Sequence, residues 1–190
     1  MSLVIAIKNN GGNYILGADS QVTYGNLMFH NSSKLHKFEK LNIVVGTVGD
    51  LRFSNLIKNN EDLFKNLIKD DKIDRKYLMT EFTKKLCAYL KEYYNDAIRK
   101  DDNGIDESVM KRNAFIIAHK DEAFYVFGDY SILEINGTGA IRCADEFALG
   151  CIESMLIFSK LDISRIIQET IKLASRIIDG VDSNWNIIEC

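Results

Sequence analysis

The order in which two hydrophobic periodicities follow one another constrains the fold of this chain more than any other feature. The N-terminal segment alternates with the period of two that is typical of a β-strand, and the turn sequence Asn9-Asn10-Gly11-Gly12-Asn13 divides it into a hairpin with arms at residues 2–8 and 14–19. Further short strands are predicted at residues 27–30, 33–38 and 41–48. The first block of the chain is therefore predicted to consist of antiparallel strands.

The period then changes to that of an α-helix. Apolar residues between 51 and 68 recur at steps of three and four and predict one or two amphipathic helices, and a longer helix is predicted from about Asp74 to Lys100. Strands return at residues 113–118, 123–127 and 132–135. Two more helices are predicted at 145–159 and 163–178, before a tail with a last short strand.

Strands and helices that occur in separate runs favour α+β layering over βαβ alternation. We therefore predict a four-layer αββα sandwich, in which two antiparallel sheets lie face to face between two helical layers. The sequence contains no internal repeat, linker or low-complexity segment, so residues 1–190 are expected to form a single domain.

Charge and composition exclude several classes of function. The net charge is −3 without a basic patch, which argues against nucleic acid and anionic membranes as partners. There is no apolar stretch long enough to span a membrane, and the opening residues lack the features of a signal peptide. The four cysteines lie far apart without a CxxC pair and indicate reduced thiols in a cytoplasmic protein. Three scattered histidines argue against a metal site, and no cofactor is predicted.

Four short motifs follow one another in the first block. They are Ser2 at the start of the first strand, the segment Gly17-Ala18-Asp19-Ser20-Gln21-Val22-Thr23-Tyr24-Gly25, the strand Lys34-Leu35-His36-Lys37-Phe38, and the turn Gly46-Thr47-Val48-Gly49. In this order and at this spacing they resemble the proteasome β-subunit family with its bacterial HslV peptidases, within the N-terminal nucleophile hydrolases. The order of strands and helices is similar to that family over nearly the whole chain.

The resemblance implies a specific chemistry. In such enzymes the hydroxyl of the first residue attacks a carbonyl, and the α-amine of the same residue accepts its proton. An α-amine titrates near pH ~7.7–8.0 and can act as a base at neutral pH. The resemblance makes Ser2 the nucleophile once Met1 is removed, and Lys34 the cation that favours the alkoxide. It also makes Asp19 the partner of that lysine and gives the Val48–Gly49 amides the role of oxyanion donors.

The same resemblance implies the setting of the reaction. It predicts a cytoplasmic peptidase that assembles into stacked rings and hydrolyses unfolded polypeptides inside them. It also implies an ATP-driven AAA+ unfoldase as a partner that delivers the substrates.

The chain departs from the family pattern at three places. It has Ser2 where threonine is usual, and Arg142-Cys143-Ala144 stands where the family has Gly-Ser-Gly. Arg176 aligns with the family aspartate near the end of the last long helix, and Asp179 and Asp182 are candidate stand-ins. A cation at that place would oppose protonation of the α-amine.

These departures keep other functions open. One alternative is a catalytically inactive proteasome-like subunit or scaffold, and another is an N-terminal nucleophile amidase that acts on a small amide. Taken alone, Asp19 could be a turn former and Lys34 could lie on an exposed strand face. Cys143 could itself be a nucleophile, although a buried structural thiol is the simpler interpretation.

Overall fold

Alternating apolar residues along the central strands produce two antiparallel sheets that lie face to face. The structure is a computed structural model that describes residues 2–24, 26–30, 32–93 and 112–190. The first sheet consists of β1 (Leu3–Lys8), β2 (Tyr14–Asp19), β12 (Thr138–Arg142) and β13 (Trp185–Glu189). The order of its strands is β12-β1-β2-β13.

The second sheet has five strands. They are β5 (Leu35–Phe38), β6 (Ile43–Val48), β9 (Ala114–His119), β10 (Glu122–Val126) and β11 (Ile132–Glu134). Their order is β11-β10-β9-β6-β5. Two small hairpins lie outside the sheets: β3 (Val22–Tyr24) with β4 (Leu27–Phe29), and β7 (Ile68–Lys69) with β8 (Lys72–Ile73).

A helical layer covers the outer face of each sheet. On the five-stranded sheet lie α1 (Leu51–Lys58), the single turn α2 (Arg75–Tyr77), a π turn (Leu78–Phe82) and α3 (Thr83–Tyr93). Apolar side chains of this layer, such as Phe53 and Phe82, pack in one cluster with Phe115 of β9. On the four-stranded sheet lie α4 (Asp145–Phe158) and α5 (Ile163–Ile177).

The period of two along β1 shows how the layers are built. Leu3, Ile5 and Ile7 pack against α4 and α5, whereas Val4 and Ala6 point into the apolar layer between the two sheets. All five residues are buried. The predicted αββα sandwich is therefore confirmed, and both faces of this strand are covered as the sequence indicated.

Several element boundaries differ from the sequence predictions. Of the one or two helices predicted between residues 51 and 68, the structure has α1 alone, followed by a 3₁₀ turn (Glu61–Leu63) and the β7–β8 hairpin. The predicted helix at 74–100 is interrupted by the π turn. The part of this prediction beyond Tyr93 lies outside the described residues. The strand predicted at 33–38 begins only at Leu35, and β12 was not predicted at all.

Within the described ranges, no helix is long and apolar enough to cross a bilayer.

Candidate active site

Strand pairing brings the first predicted site residue next to the second. The register of β1 with β2 places Val4 opposite Ala18, so Asp19 lies opposite Leu3 at the end of the hairpin. The backbone N–H of Leu3 donates to Asp19 Oδ1 at 2.7 Å. Ser2, the residue before Leu3, is 6% exposed. The start of β1 is therefore held by its pairing with β2 and by the buried Asp19 carboxylate.

Asp19 also holds Lys34. The Lys34 ammonium donates to Asp19 Oδ2 at 2.6 Å, and the two side chains are 6% and 0% exposed. The backbone N–H of Gln21 donates to the same oxygen at 3.1 Å. The alternative of Lys34 on an exposed strand face is thus wrong. One carboxylate joins the backbone next to Ser2 to a buried cation.

Burial dominates the electrostatics of this lysine. Removal of the ammonium from water lowers the pKa of Lys34, and the attraction and hydrogen bond of the Asp19 carboxylate oppose this only in part. A weaker attraction from Asp182 acts in the same direction as Asp19. Lys34 therefore loses its charge more readily than an ordinary lysine.

The corner between β12 and α4 contacts the main chain of Ser2. The backbone N–H of Cys143 donates to the Ser2 carbonyl oxygen at 3.1 Å. The flanking residues Arg142 and Ala144 have φ values of 86° and 71°, in the left-handed region that favours glycine. The corner thus adopts a backbone shape suited to Gly-Ser-Gly although it contains neither glycine.

The side chain of Cys143 is partly exposed, so the expectation of a buried thiol is wrong. No hydrogen bond or ion pair joins it to a histidine in the described part of the chain, which leaves the thiol without a general base. Cys143 contacts Ser2 through its main chain and lies near the Lys34 ammonium.

Asp182 reaches the site from the loop before β13. Its backbone N–H donates to Asp19 Oδ2 at 3.4 Å. Its Oδ2 atom is 3.0 Å from Ser20 Oγ, 3.1 Å from His30 Nδ1 and 3.3 Å from Asn184 Nδ2. Burial raises the pKa of the Asp182 carboxyl, but the hydrogen bonds from these groups outweigh burial and hold the pKa below its usual range.

Of the three residues considered for the place of the family aspartate, only Asp182 joins this network. Arg176 and Asp179 are both exposed near the end of α5, and neither forms a hydrogen bond or ion pair with Ser2, Asp19 or Lys34 in the described chain. The expected placement of a cation in the site is therefore wrong. His30 was not predicted here, because no local sequence signal joins it to a carboxylate 152 residues away.

The segment predicted as a turn at 46–49 is instead the end of strand β6 followed by a bend at Gly49, and it lies beside Lys34. The backbone N–H of Thr47 donates to the Lys34 carbonyl oxygen at 2.9 Å. Gly49 has a φ of 116°, and a Cβ atom at this position would lie 2.0 Å from Asn113 Oδ1. That same oxygen accepts from the Asp50 N–H at 2.7 Å. Glycine is therefore required for both the conformation and the space at this turn.

The fold of this chain occurs in proteins of known structure, although their sequences differ from it widely. No family model matches the sequence. Among solved structures it is similar to BPH from Thiobacillus denitrificans, with a TM-score of 0.76 and 18% identity over 99% of this chain and 97% of that one. This chain has the proteasome/HslV-like fold. BPH has also been solved in complex with epoxomicin.

Two further structures extend the HslV-like comparison. HslV from Trypanosoma brucei gives a TM-score of 0.66 and 17% identity, with 98% of each chain covered. Anbu, described as an ancestral β-subunit, from Yersinia bercovieri gives 0.64 and 14% over 98% of this chain and 80% of that chain. The resemblance found in the sequence motifs is confirmed at the level of the fold, as a divergent example of it.

Proposed function

We propose that this chain is a proteasome/HslV-like peptidase that uses Ser2 as an N-terminal nucleophile after Met1 has been removed. One observation carries the proposal: the buried Asp19 carboxylate holds both the Leu3 N–H, at 2.7 Å, and the Lys34 ammonium, at 2.6 Å. This contact unites three of the four sequence-predicted elements at the start of β1. A turn former or an exposed lysine would not need such an arrangement.

The proposed reaction begins at Ser2. The α-amine takes the hydroxyl proton while Oγ attacks the scissile carbonyl carbon, and the carbonyl oxygen becomes an oxyanion. The C–N bond then breaks, the protonated amine returns its proton to the leaving nitrogen, and an ester joins Ser2 to the acyl part of the substrate. Water, activated by the same amine, hydrolyses the ester and regenerates the hydroxyl.

The neighbouring residues have supporting roles in this proposal. The Lys34 charge favours negative charge on Oγ, and Asp19 holds the ammonium in position. The amides of the Val48–Gly49 turn are the proposed oxyanion donors. Cys143 and Asp182 act as positioning residues, because their backbone N–H groups fix the Ser2 carbonyl and the Asp19 carboxylate, respectively.

The wider setting is also a proposal. The likeness to HslV supports one proteasome-like domain, residues 1–190, that assembles into rings and hydrolyses unfolded polypeptides with an AAA+ ATPase unfoldase as partner. All four cysteines are free in the structure, in keeping with a reducing cytoplasm.

Intact mass measured before and after treatment with epoxomicin tests the nucleophile. An epoxyketone needs a free α-amine beside a hydroxyl to form its cyclic adduct. We expect the loss of one methionine and a single adduct that maps to Ser2. Ser2→Ala should take up no probe, whereas Ser154→Ala, at an exposed serine on α4, should react like the wild type.

A second candidate is a catalytically inactive proteasome-like scaffold. It is favoured by the thiol of Cys143, which stands where the resembled family has a serine hydroxyl. Retention of Met1, or a free Ser2 that forms no adduct, would support the scaffold and contradict the peptidase. Adduct formation together with cleavage of small amides but not of a peptide panel would instead support the amidase.

A further inference from the structure

Basic and hydroxyl side chains meet between helix α1 and strand β5, the last strand of the second sheet. The His36 ring packs on Phe38 with 4.6 Å between the ring centroids, and Phe38 belongs to the apolar cluster that includes the buried face of α1. From β6, Thr47 Oγ1 lies 2.7 Å from Ser54 Oγ of α1. His36 and Thr47 therefore lie on the face of the sheet that α1 covers.

Lys58 adds a cation to this group. It follows Ser54 by four residues, so both side chains project from the same face of α1. The Lys58 ammonium donates to the Ser33 carbonyl oxygen at 2.6 Å, one residue before Lys34. We use the name basic edge for four side chains: His36, Thr47, Ser54 and Lys58.

No carboxylate contact balances the charge of the basic edge. Among the described residues, Lys58 forms no ion pair and the His36 ring nitrogens have no hydrogen-bond partner. Burial lowers the pKa of Lys58. Burial and the Lys58 charge lower the pKa of His36, and the Glu39 and Glu61 carboxylates oppose this only in part. Basic groups held together against burial and mutual repulsion indicate a site for an anion.

The basic edge begins beside the candidate active site. The Thr47 N–H donates to the Lys34 carbonyl oxygen at 2.9 Å, and the Lys34 ammonium is held by Asp19. Thr47 is followed directly by Val48 and Gly49, whose amides are the proposed oxyanion donors. A substrate residue whose carbonyl oxygen accepts from these amides therefore has its own side chain close to the basic edge.

We propose that the basic edge binds the side-chain carboxylate of the substrate residue that supplies the acyl group, so that the protein cleaves peptides after glutamate or aspartate. The inference rests on the proposed peptidase function and adds its substrate class. Lys58 supplies the charge, and the Ser54 hydroxyl and the His36 ring supply further hydrogen-bond donors. An aliphatic side chain would leave these donors without partners, and a lysine or arginine side chain would be repelled.

Cleavage of a matched peptide series tests this specificity. The peptides carry a C-terminal aminocoumarin amide and differ only in the acyl residue, which is glutamate, glutamine, leucine or arginine. We expect the highest kcat/KM for glutamate. Lys58→Met should lower that value about 10- to 100-fold, as for the loss of a charged hydrogen bond, and should change cleavage after leucine by less than about threefold. Lys58→Glu should make arginine the preferred residue.

Lys40→Met is the matched control for the loss of charge. Lys40 is exposed beyond the end of β5, and its replacement should keep the wild-type order of the four peptides. A purely structural role of Lys58 would lower the cleavage of all four peptides equally. That result would overturn the proposal, as would an absence of preference for glutamate in the wild type.

Binding to Ser2→Ala separates this inference from the proposed peptidase function. Amidated peptides that end in glutamate or glutamine differ in one charge and have no free α-carboxylate. Fluorescence anisotropy should show tighter binding of the glutamate peptide, and Lys58→Met in the same background should abolish the difference. This binding without any cleavage by the wild type would contradict the peptidase and support the basic edge. Equal binding of both peptides would overturn the basic edge, whether or not peptides are cleaved.

Discussion

At the scale of single residues, Asp19 determines how the site is held together. Its carboxylate is completely buried and accepts hydrogen bonds from the Lys34 ammonium and from the backbone N–H groups of Leu3, Gln21 and Asp182. Loss of one member of a buried ion pair leaves the other charge without compensation. Removal of both charges should therefore restore stability without restoring activity.

We expect Asp19→Asn to lower the free energy of unfolding by about 3–5 kcal/mol, because the buried ammonium loses its partner. The double variant Asp19→Asn with Lys34→Met removes both charges and should regain much of that loss. Denaturant unfolding measures both changes, and neither variant should hydrolyse peptides. A cost below about 1 kcal/mol for the single variant would be that of a surface pair and would contradict the buried pair.

The lowered pKa of Lys34 predicts a pH dependence. If the charged lysine supports the nucleophile, activity falls as the pH rises through the Lys34 pKa, and it does so below the range of an ordinary lysine. The Asp182 charge raises this pKa, so Asp182→Asn should move the alkaline limb to lower pH. The rate of epoxomicin adduct formation against pH measures the shift.

The exposed Asp179 supplies a matched control for that experiment. Asp179→Asn removes the same charge three residues away, outside the network, and should leave the alkaline limb in place. An equal shift in both variants would mean that net charge, rather than the Asp182 contact, determines the pH at which activity falls.

Thr170 offers a test of packing that does not involve the site. Its Oγ1 atom, on the buried face of α5, has no hydrogen-bond partner among the described residues. A buried hydroxyl without a partner costs about 1–3 kcal/mol. We expect Thr170→Val to increase the free energy of unfolding by about 1 kcal/mol in denaturant titrations. Thr80→Val, at an exposed threonine that donates to the Lys76 carbonyl, should not stabilise the protein.

At the scale of elements, several turns depend on backbone conformation, both beside the site and far from it. Gly49 and Gly12 both have positive φ values, but a Cβ atom on Gly12 would have no neighbour within 4 Å. Substitution of either glycine therefore carries a conformational cost, but only substitution of Gly49 also causes a steric clash. The corner at Arg142 and Ala144 shows that non-glycine residues can adopt the left-handed region here when they have space.

We expect Gly12→Ala to cost about 1 kcal/mol of stability, from the positive φ alone. Gly49→Ala should cost about 1–3 kcal/mol more, because the new methyl group overlaps Asn113 and the Arg112 carbonyl oxygen. Thermal unfolding of the two variants measures the difference. Equal losses would show that the turn can move away from Asn113 without cost.

At the scale of the whole molecule, close contact between layers holds α5 on the four-stranded sheet. A Cβ atom on Gly17 would lie 2.1 Å from Ile167 Cγ2, so the helix approaches the strand at a position where only glycine fits. We expect Gly17→Ala to destabilise the protein by about 1–3 kcal/mol in denaturant unfolding.

Ile167→Ala makes space for that methyl group but leaves a cavity when it is made alone. The double variant should therefore cost less than the sum of the single variants, because the two residues are in direct contact. Additive losses would contradict the close approach of the two layers.

The sequence by itself predicted the layer architecture, and its resemblance to a known family supplied the candidate site residues. Periods of two and then of three to four predicted the αββα order, because each strand or helix needs its own apolar face. The resemblance to the proteasome β-subunit family implied that Asp19 pairs with Lys34, and the structure has the two side chains as a buried ion pair. The roles of Ser2 and Gly49 in catalysis remain predictions for the experiments above.

Only the tertiary structure decided the rest, since it depends on contacts between distant parts of the chain. Strand β12 (Thr138–Arg142) is defined by its pairing with β1, and its own sequence carries little strand preference. The sequence left Arg176, Asp179 and Asp182 as candidates. The choice of Asp182 followed from a loop that returns to Asp19 from 163 residues away. The contact of Lys58 with Ser33 likewise became visible only when α1 had packed beside β5, because sequence spacing alone does not join residues of different elements.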